Sequence, residues 1–213
     1  MHIRVSMILT VLLALSAPNV HAQTITTGLK VGIDFSSMPN FGAIVDQIVK
    51  QPSTETSSKV GALFGGFVTV PLWNLIAVQP ELQFVMKGAK VKEAGNAGTV
   101  NASVRYLEFP VLLRYGLPVG EHTGYVLVGP TFGVKAGTSA QLDGPSQTAD
   151  VEIDPAIRTF DAGLAFAGGF DYRRYFAELR YTQGLTDVAA DIFPHTESVH
   201  NRTIAISVGI RFK

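Results

Sequence analysis

The 213-residue sequence contains no cysteine, which excludes a disulfide framework, thiolate metal sites and a lipidated N-terminal cysteine. Neither charge is in excess: 17 Lys and Arg face 17 Asp and Glu. No global field therefore draws a polyanion, and no nucleic-acid partner is expected. Beyond residue 22 no apolar run reaches the roughly 20 residues of a spanning helix. Gly-rich phosphate loops and Cys/His clusters are also missing, so no cofactor or metal site is expected. Yet 46% of the residues are hydrophobic and only 16% charged, so the apolar content must be arranged in something other than long runs.

The N-terminus is the one place where apolar residues do cluster. Arg4, the stretch from Val5 to Leu15 and the tripeptide Val20-His21-Ala22 have the layout of a secretory signal peptide. Residues 1–22 are expected to form this leader, and residues 23–213, about 190 in number, a single domain.

Elsewhere the apolar residues alternate. From Thr203 to Phe212, one strand face carries Ile204, Ile206, Val208, Ile210 and Phe212, and the other Thr203, Ala205, Ser207, Gly209 and Arg211. The same pattern marks seven earlier segments: Gly28 to Ser36, Lys59 to Val70, Leu75 to Lys87, Arg105 to Tyr115, Tyr125 to Lys135, Phe160 to Tyr172, and Tyr175 to Leu185. Long polar segments (37–58, 90–101, 136–157 and 186–200) alternate with short turns at 71–74, 117–123 and Arg173-Arg174. Phe41, Ile44, Val45 and Ile48 fall at helical spacing in the first long segment, which fits a short capping helix and a plain loop equally. Pro80, inside the third strand, predicts an edge or a bulge.

This rhythm predicts an all-β fold, an eight-stranded antiparallel up-and-down barrel with both termini at one end. The charges indicate what surrounds it. Lys30, Asp34, Glu81, Lys87, Glu108, Arg114, Lys135, Asp161, Asp171, Glu178, Arg180 and Arg211 all fall opposite the aliphatic rows. A water-soluble barrel shows the reverse arrangement. The aliphatic faces are therefore predicted to meet lipid, and closure follows because an open sheet edge in hydrocarbon leaves backbone groups unpaired. Trp73, Tyr115, Tyr172, Tyr175 and Phe212 lie at the short-turn ends of their strands, where an aromatic girdle meets the lipid–water boundary. An eight-stranded lumen is just wide enough for side chains to fill. Its carboxylates, Glu81, Glu108, Asp161 and Glu178, are expected to serve as structural ion-pair partners rather than as catalysts.

Several short motifs carry a family resemblance through their order and spacing. Gly28-Leu-Lys-Val-Gly32 comes first, then Gln79-Pro-Glu-Leu-Gln83 with Lys87-Gly88, and Tyr106-Leu-Glu-Phe-Pro110 with Leu113-Arg-Tyr115. Gly129-Pro130 and Glu178-Leu-Arg-Tyr181 with Gly184-Leu185 follow. Together they resemble the PorT-like outer-membrane β-barrel proteins of the Bacteroidetes lineage. The resemblance covers nearly all of the chain after the leader. It implies residence in the cell outer membrane, contact with outer-membrane lipid and insertion by the barrel assembly machinery. The last residue is Lys213, a departure from the terminal aromatic usual in such barrels.

Candidates for chemistry are few. Asp187, Asp191, His195, Ser198 and His200 gather in or beside the last long segment, where a His with a carboxylate can act as general base. Their spacing matches no nucleophile or metal motif. Asp143, Asp150, Glu152 and Asp154 supply oxygens but not the loop spacing of a calcium site, and His122 has no partner near it in sequence. No catalytic, cofactor or metal residue is assigned. The expected role is that of a non-enzymatic barrel acting through its external loops in structure, binding or secretion, with a protein partner possible there. A rim hydrolase or acyltransferase using His195 or His200 is the alternative.

Overall fold

The computed structural model describes residues 24–38, 53–93, 99–143, 148–150, 158–186 and 200–212. Period-two alternation becomes antiparallel pairing in β1 (Thr26–Ser37), β2 (Ser53–Trp73), β3 (Ile76–Glu93), β4 (Thr99–Val119), β5 (His122–Asp143), β6 (Thr148–Asp150), β7 (Phe160–Tyr172), β8 (Tyr175–Gly184) and β9 (Arg202–Phe212). Eight of these close a ring in the order β1-β2-β3-β4-β5-β7-β8-β9, as the sequence rhythm predicts. The seam runs in unbroken register from Thr27↔Phe212 to Ser37↔Arg202. β6 stands outside the ring, paired with the end of β5. The leader and the helical spacing at Phe41, Ile44, Val45 and Ile48 lie outside the described residues.

Within the ring the faces are as predicted. Val31, Phe64, Leu179 and Val208 point outward, each more than half exposed, whereas Lys30, Asp34, Glu81 and Arg180 are buried in the lumen. Pro80 does not put β3 at an edge, because it pairs with Val111 on β4. Instead the ladder to β2 is interrupted beside it, between Phe67↔Glu81 and Val70↔Val78, so the missing N–H falls in a gap.

Four strands are longer than the sequence pattern predicts. Residues 53–58, 88–93, 99–104 and 136–143, which lie beyond the strand bounds that pattern gives and of which 53–58, 90–93, 99–101 and 136–143 fall in its loops, are strand and pair antiparallel, as in Thr56↔Val91 and Lys90↔Asn101. At the opposite end β2 runs through Trp73, β4 through Val119, and β5 starts at His122, which shortens the turns to Asn74-Leu75 and Gly120-Glu121. The upper extensions form a wall that stands above β1, β7, β8 and β9 at the long-loop end.

The two faces of this wall exchange polarity. On β4 the row from Leu107 to Tyr115 is apolar and exposed, but above it Arg105 is exposed while Val100, Ala102 and Val104 are buried. On β3 Lys90 and Lys92 are likewise exposed, with Ala89 and Val91 buried. A bulge between Arg105 and Tyr106 marks the change. Polar outside and apolar inside is the arrangement water requires, so the hydrocarbon ends near Leu107.

Toward the short-turn end the lumen carries an apolar plug that the sequence reading did not include: Phe67, Leu112, Tyr125, Leu127, Ala165, Ala167 and Phe176. Phe67 and Phe176 meet edge to face at 5.4 Å. Space for the rings comes from facing glycines. A Cβ on Gly209 would come within 2.5 Å of the Phe176 ring and closer still to the Leu29 carbonyl. Gly209→Ala is expected to destabilise the barrel by about 1–3 kcal/mol, the usual cost of overpacking. A lowered urea midpoint after refolding into micelles would show this, whereas an unchanged midpoint would mean that both ring and backbone yield.

Candidate functional site

Alternation on eight strands delivers charged side chains to one narrow space, and there they form three tiers. In the middle tier Glu81 of β3 accepts two hydrogen bonds from the Arg180 guanidinium of β8, at 2.8 and 2.9 Å. Lys30 of β1 donates to the same carboxylate at 2.6 Å, and Gln79 donates at 2.9 Å. Glu178 adds an ion pair to Arg180 at 2.7 Å. Each of these four charged side chains is 5% exposed or less. Burial at this level strengthens each attraction and raises the desolvation cost together.

Nearer the long-loop end, Lys87 lies between two carboxylates, Glu108 at 2.6 Å and Asp161 at 3.2 Å. Neutral donors complete this tier: Gln83 to Glu108 at 3.0 Å, and Asn201 and Thr186 to Asp161 at 2.6 and 2.9 Å. At the short-turn end, Arg114 and Arg211 both bond Asp171. Arg114 stacks on Tyr125 at 3.6 Å and Arg211 lies over Phe67 at 4.8 Å, so the aromatic plug and the ion pairs support one another. All four carboxylates assigned to ion pairs from sequence have cationic partners. Thr186 and Asn201 were not foreseen, because they flank a long segment where no alternation assigns them a face.

The residues considered for rim chemistry are not brought together among the described residues. Asp187, Asp191, His195 and Ser198 lie outside them. His200 is half-buried, and its Nδ1 lies 3.0 Å from the Thr186 carbonyl oxygen, which makes Nδ1 the donor. The Gly184 N–H bonds the Asn201 carbonyl nearby at 2.7 Å, so the His200 contact ties the end of β8 to the start of β9. Of the acidic run, Asp143 accepts a hydrogen bond from Asn101 at 2.7 Å. Asp150 lies in β6, opposite Gln141, while Glu152 and Asp154 are outside the described residues. His122 has ring partners that its sequence position did not reveal, Tyr172 at 4.9 Å and Phe170 at 5.5 Å. No group of three or more metal-ligating residues occurs among the described residues.

A closed ring of strands, aliphatic outside, ion-paired inside and ringed by exposed Trp73, Tyr115, Tyr172 and Tyr175 at one end, is a transmembrane β-barrel. The family described as outer membrane protein beta-barrel domain matches residues 21–190. The chain belongs to that family, and its location is the outer membrane. Solved structures with a similar shape include Ail, the attachment invasion locus protein of Yersinia pestis, at 12% identity, 89% of this chain, 100% of that one and a TM-score of 0.45. Neisserial surface protein A is similar at 9% identity, 88% and 97% coverage and a TM-score of 0.45. OprG from Pseudomonas aeruginosa gives 14% identity, 88% and 95% coverage and a TM-score of 0.46. No curated protein matches the sequence.

Proposed function

We propose that this is a non-enzymatic barrel with a sealed lumen, whose long-loop end faces the cell exterior and presents the wall of β2 to β5 as a binding platform. The wall is the observation that carries the reading. Its strands continue past the lipid-facing row in antiparallel pairs and carry Lys90, Lys92 and Arg105 on the outside, which gives a rigid surface of the kind that positions binding loops. A protein partner of the cell envelope fits such a platform. Insertion by the barrel assembly machinery and membership of the PorT-like branch belong to the same reading, the latter resting on the ordered motifs from Gly28 to Leu185. Sealing rests on the middle tier and the aromatic plug, which together span the lumen.

A rim hydrolase or acyltransferase using His195 or His200 is the weaker reading, since Nδ1 of His200 is engaged by a backbone carbonyl. Two variants separate these readings in cells. One replaces residues 88–104 by a tight turn, removing the projecting part of β3 and β4; the other is His195→Ala with His200→Ala. The truncated barrel is expected to insert, shift on gels with boiling and reproduce the phenotype of cells lacking the protein, whereas the histidine variant behaves as wild type. Full function of the truncated barrel would overturn the platform, and loss of function in the histidine variant would establish the enzyme.

A further inference from the structure

The outer face of the barrel changes character where the wall begins, and three cations from three strands meet there. Lys59 of β2, Lys90 of β3 and Arg105 of β4 stand just above the exposed apolar residues Val60, Met86 and Leu107. The ladder between β3 and β4 sets their spacing: Gly88 pairs with Ser103, Lys90 with Asn101 and Met86 with Arg105. Lys90 and Arg105 therefore flank the Gly88–Ser103 pair on either side, each two residues or about 7 Å along its strand. Lys59 reaches the same pair from the neighbouring strand. Its side chain crosses β3 over Gly88, where a Cβ would come within 2.9 Å of it, and its ammonium donates to the Ser103 hydroxyl at 2.6 Å.

The charges that converge on this point are of one sign. Arg105 donates to the Thr138 carbonyl at 3.5 Å, a neutral acceptor like Ser103, and Lys90 repels Lys59. Glu55, Glu93 and Asp143, the acids that β2 to β5 carry toward the rim, lie at the level of Lys92 or beyond it. Below the cations the surface is apolar, with Phe64 and Phe84 stacked at 5.3 Å. A positive cluster directly above an apolar face is complementary to an anionic head on acyl chains. A phosphate monoester, with a charge of about −1.5 to −2 and three acceptor oxygens, matches three converging cations better than a singly charged diester. Above this point the wall presents Ser57, opposite Lys90, and Ser139, opposite Ser103, a polar surface for a sugar headgroup. We propose that Lys59, Lys90 and Arg105 hold the phosphate of an outer-leaflet glycolipid whose acyl chains lie along the apolar row beneath. The choice of leaflet rests on the outward orientation of the long-loop end proposed above.

The test is native mass spectrometry of the barrel in neutral detergent micelles, titrated with monophosphoryl lipid A, with the same glycolipid lacking its phosphate, and with phosphatidylglycerol. Monophosphoryl lipid A is expected to bind about 30–100-fold more tightly than the phosphate-free form, since each cation near the membrane surface contributes about fivefold, and more tightly than phosphatidylglycerol. Replacing Lys59, Lys90 and Arg105 together by Gln is expected to bring its affinity down to that of the phosphate-free lipid. Binding of the phosphate-free lipid, unchanged in that variant, shows that the variant is folded. Equal binding of the phosphorylated and phosphate-free lipids by wild type would overturn the site. Phosphatidylglycerol bound as tightly would overturn the monoester, and selectivity surviving in the triple variant would overturn the three residues. Orientation is read separately in intact cells, from labelling of Ser139→Cys by an impermeant maleimide, since the chain has no other cysteine. Labelling without lipid selectivity would overturn the site and leave the orientation standing. Selectivity without labelling would overturn the leaflet, and the outward platform with it.

Discussion

Glu81→Ala is expected to cost the barrel about 3–5 kcal/mol, the usual penalty for breaking a buried ion pair by removing one partner. Glu81 receives two hydrogen bonds from Arg180, one from Lys30 and one from Gln79. Its loss leaves two buried cations to share Glu178, which stands 2.7 Å from Arg180 but 3.7 Å from Lys30. Most of the cost is thus the stranded charge, not the lost attraction. Replacing Lys30, Glu81, Glu178 and Arg180 together by Met removes the stranded charges as well, Glu178 being included because Lys30 and Arg180 are its ion-pair partners. The quadruple variant is therefore expected to regain much of the stability, since apolar residues of similar volume often replace buried ion pairs without loss. The readout is the urea midpoint in micelles, followed by Trp73 fluorescence and by gel mobility without boiling. A Glu81→Ala barrel as stable as wild type would show that water enters this tier freely, and the sealed lumen would fall with it.

The ring was legible because one physical rule governs it. Lipid outside and a narrow polar lumen inside force strict alternation, and rows such as Ile204 to Phe212 or Leu107 to Tyr115 display it without interruption. Where the surroundings change, the same strands become hard to read. Val100, Ala102 and Val104 alternate as regularly as Leu107, Phe109 and Val111 but on the opposite face, so a reader following the apolar row stops at Arg105 and takes the remainder for a loop. The exchange of polarity at the bulge was the available signal, and the paired spacing of Ala89 and Val91 on β3 carries it too.

The candidate site was legible by half. Charges opposite the aliphatics could be assigned to the lumen one by one, but which acid meets which base depends on strand stagger around the barrel, and alternation along single strands does not contain that information. Lys30 finds Glu81 across fifty-one positions and Arg180 finds it across ninety-nine. The aromatic plug was hidden differently: Phe67, Tyr125 and Phe176 sit on the polar side of their strands, where the eye expects charge. Gly28, Gly169 and Gly209, which make room for those rings, were the clue. Inward glycines in a closed barrel mark places where something large points back.

Val208→Arg is expected to show that the aliphatic face meets hydrocarbon, and to do so through its dependence on depth. Val208 lies near the middle of β9, 55% exposed and flanked by Val31 and Ala177 on the neighbouring strands. An arginine there must bury its charge or deform the bilayer, at about 2–4 kcal/mol near the midplane against about 0–1 near the interface. Leu117 supplies the comparison, since it also points outward, but lies beyond Tyr115 toward the short-turn end. Leu117→Arg, measured by the same reversible unfolding from lipid vesicles, is expected to cost little, because its guanidinium reaches the headgroups. If both arginines cost the same, depth is irrelevant, and the outer face must pack against protein instead of lipid.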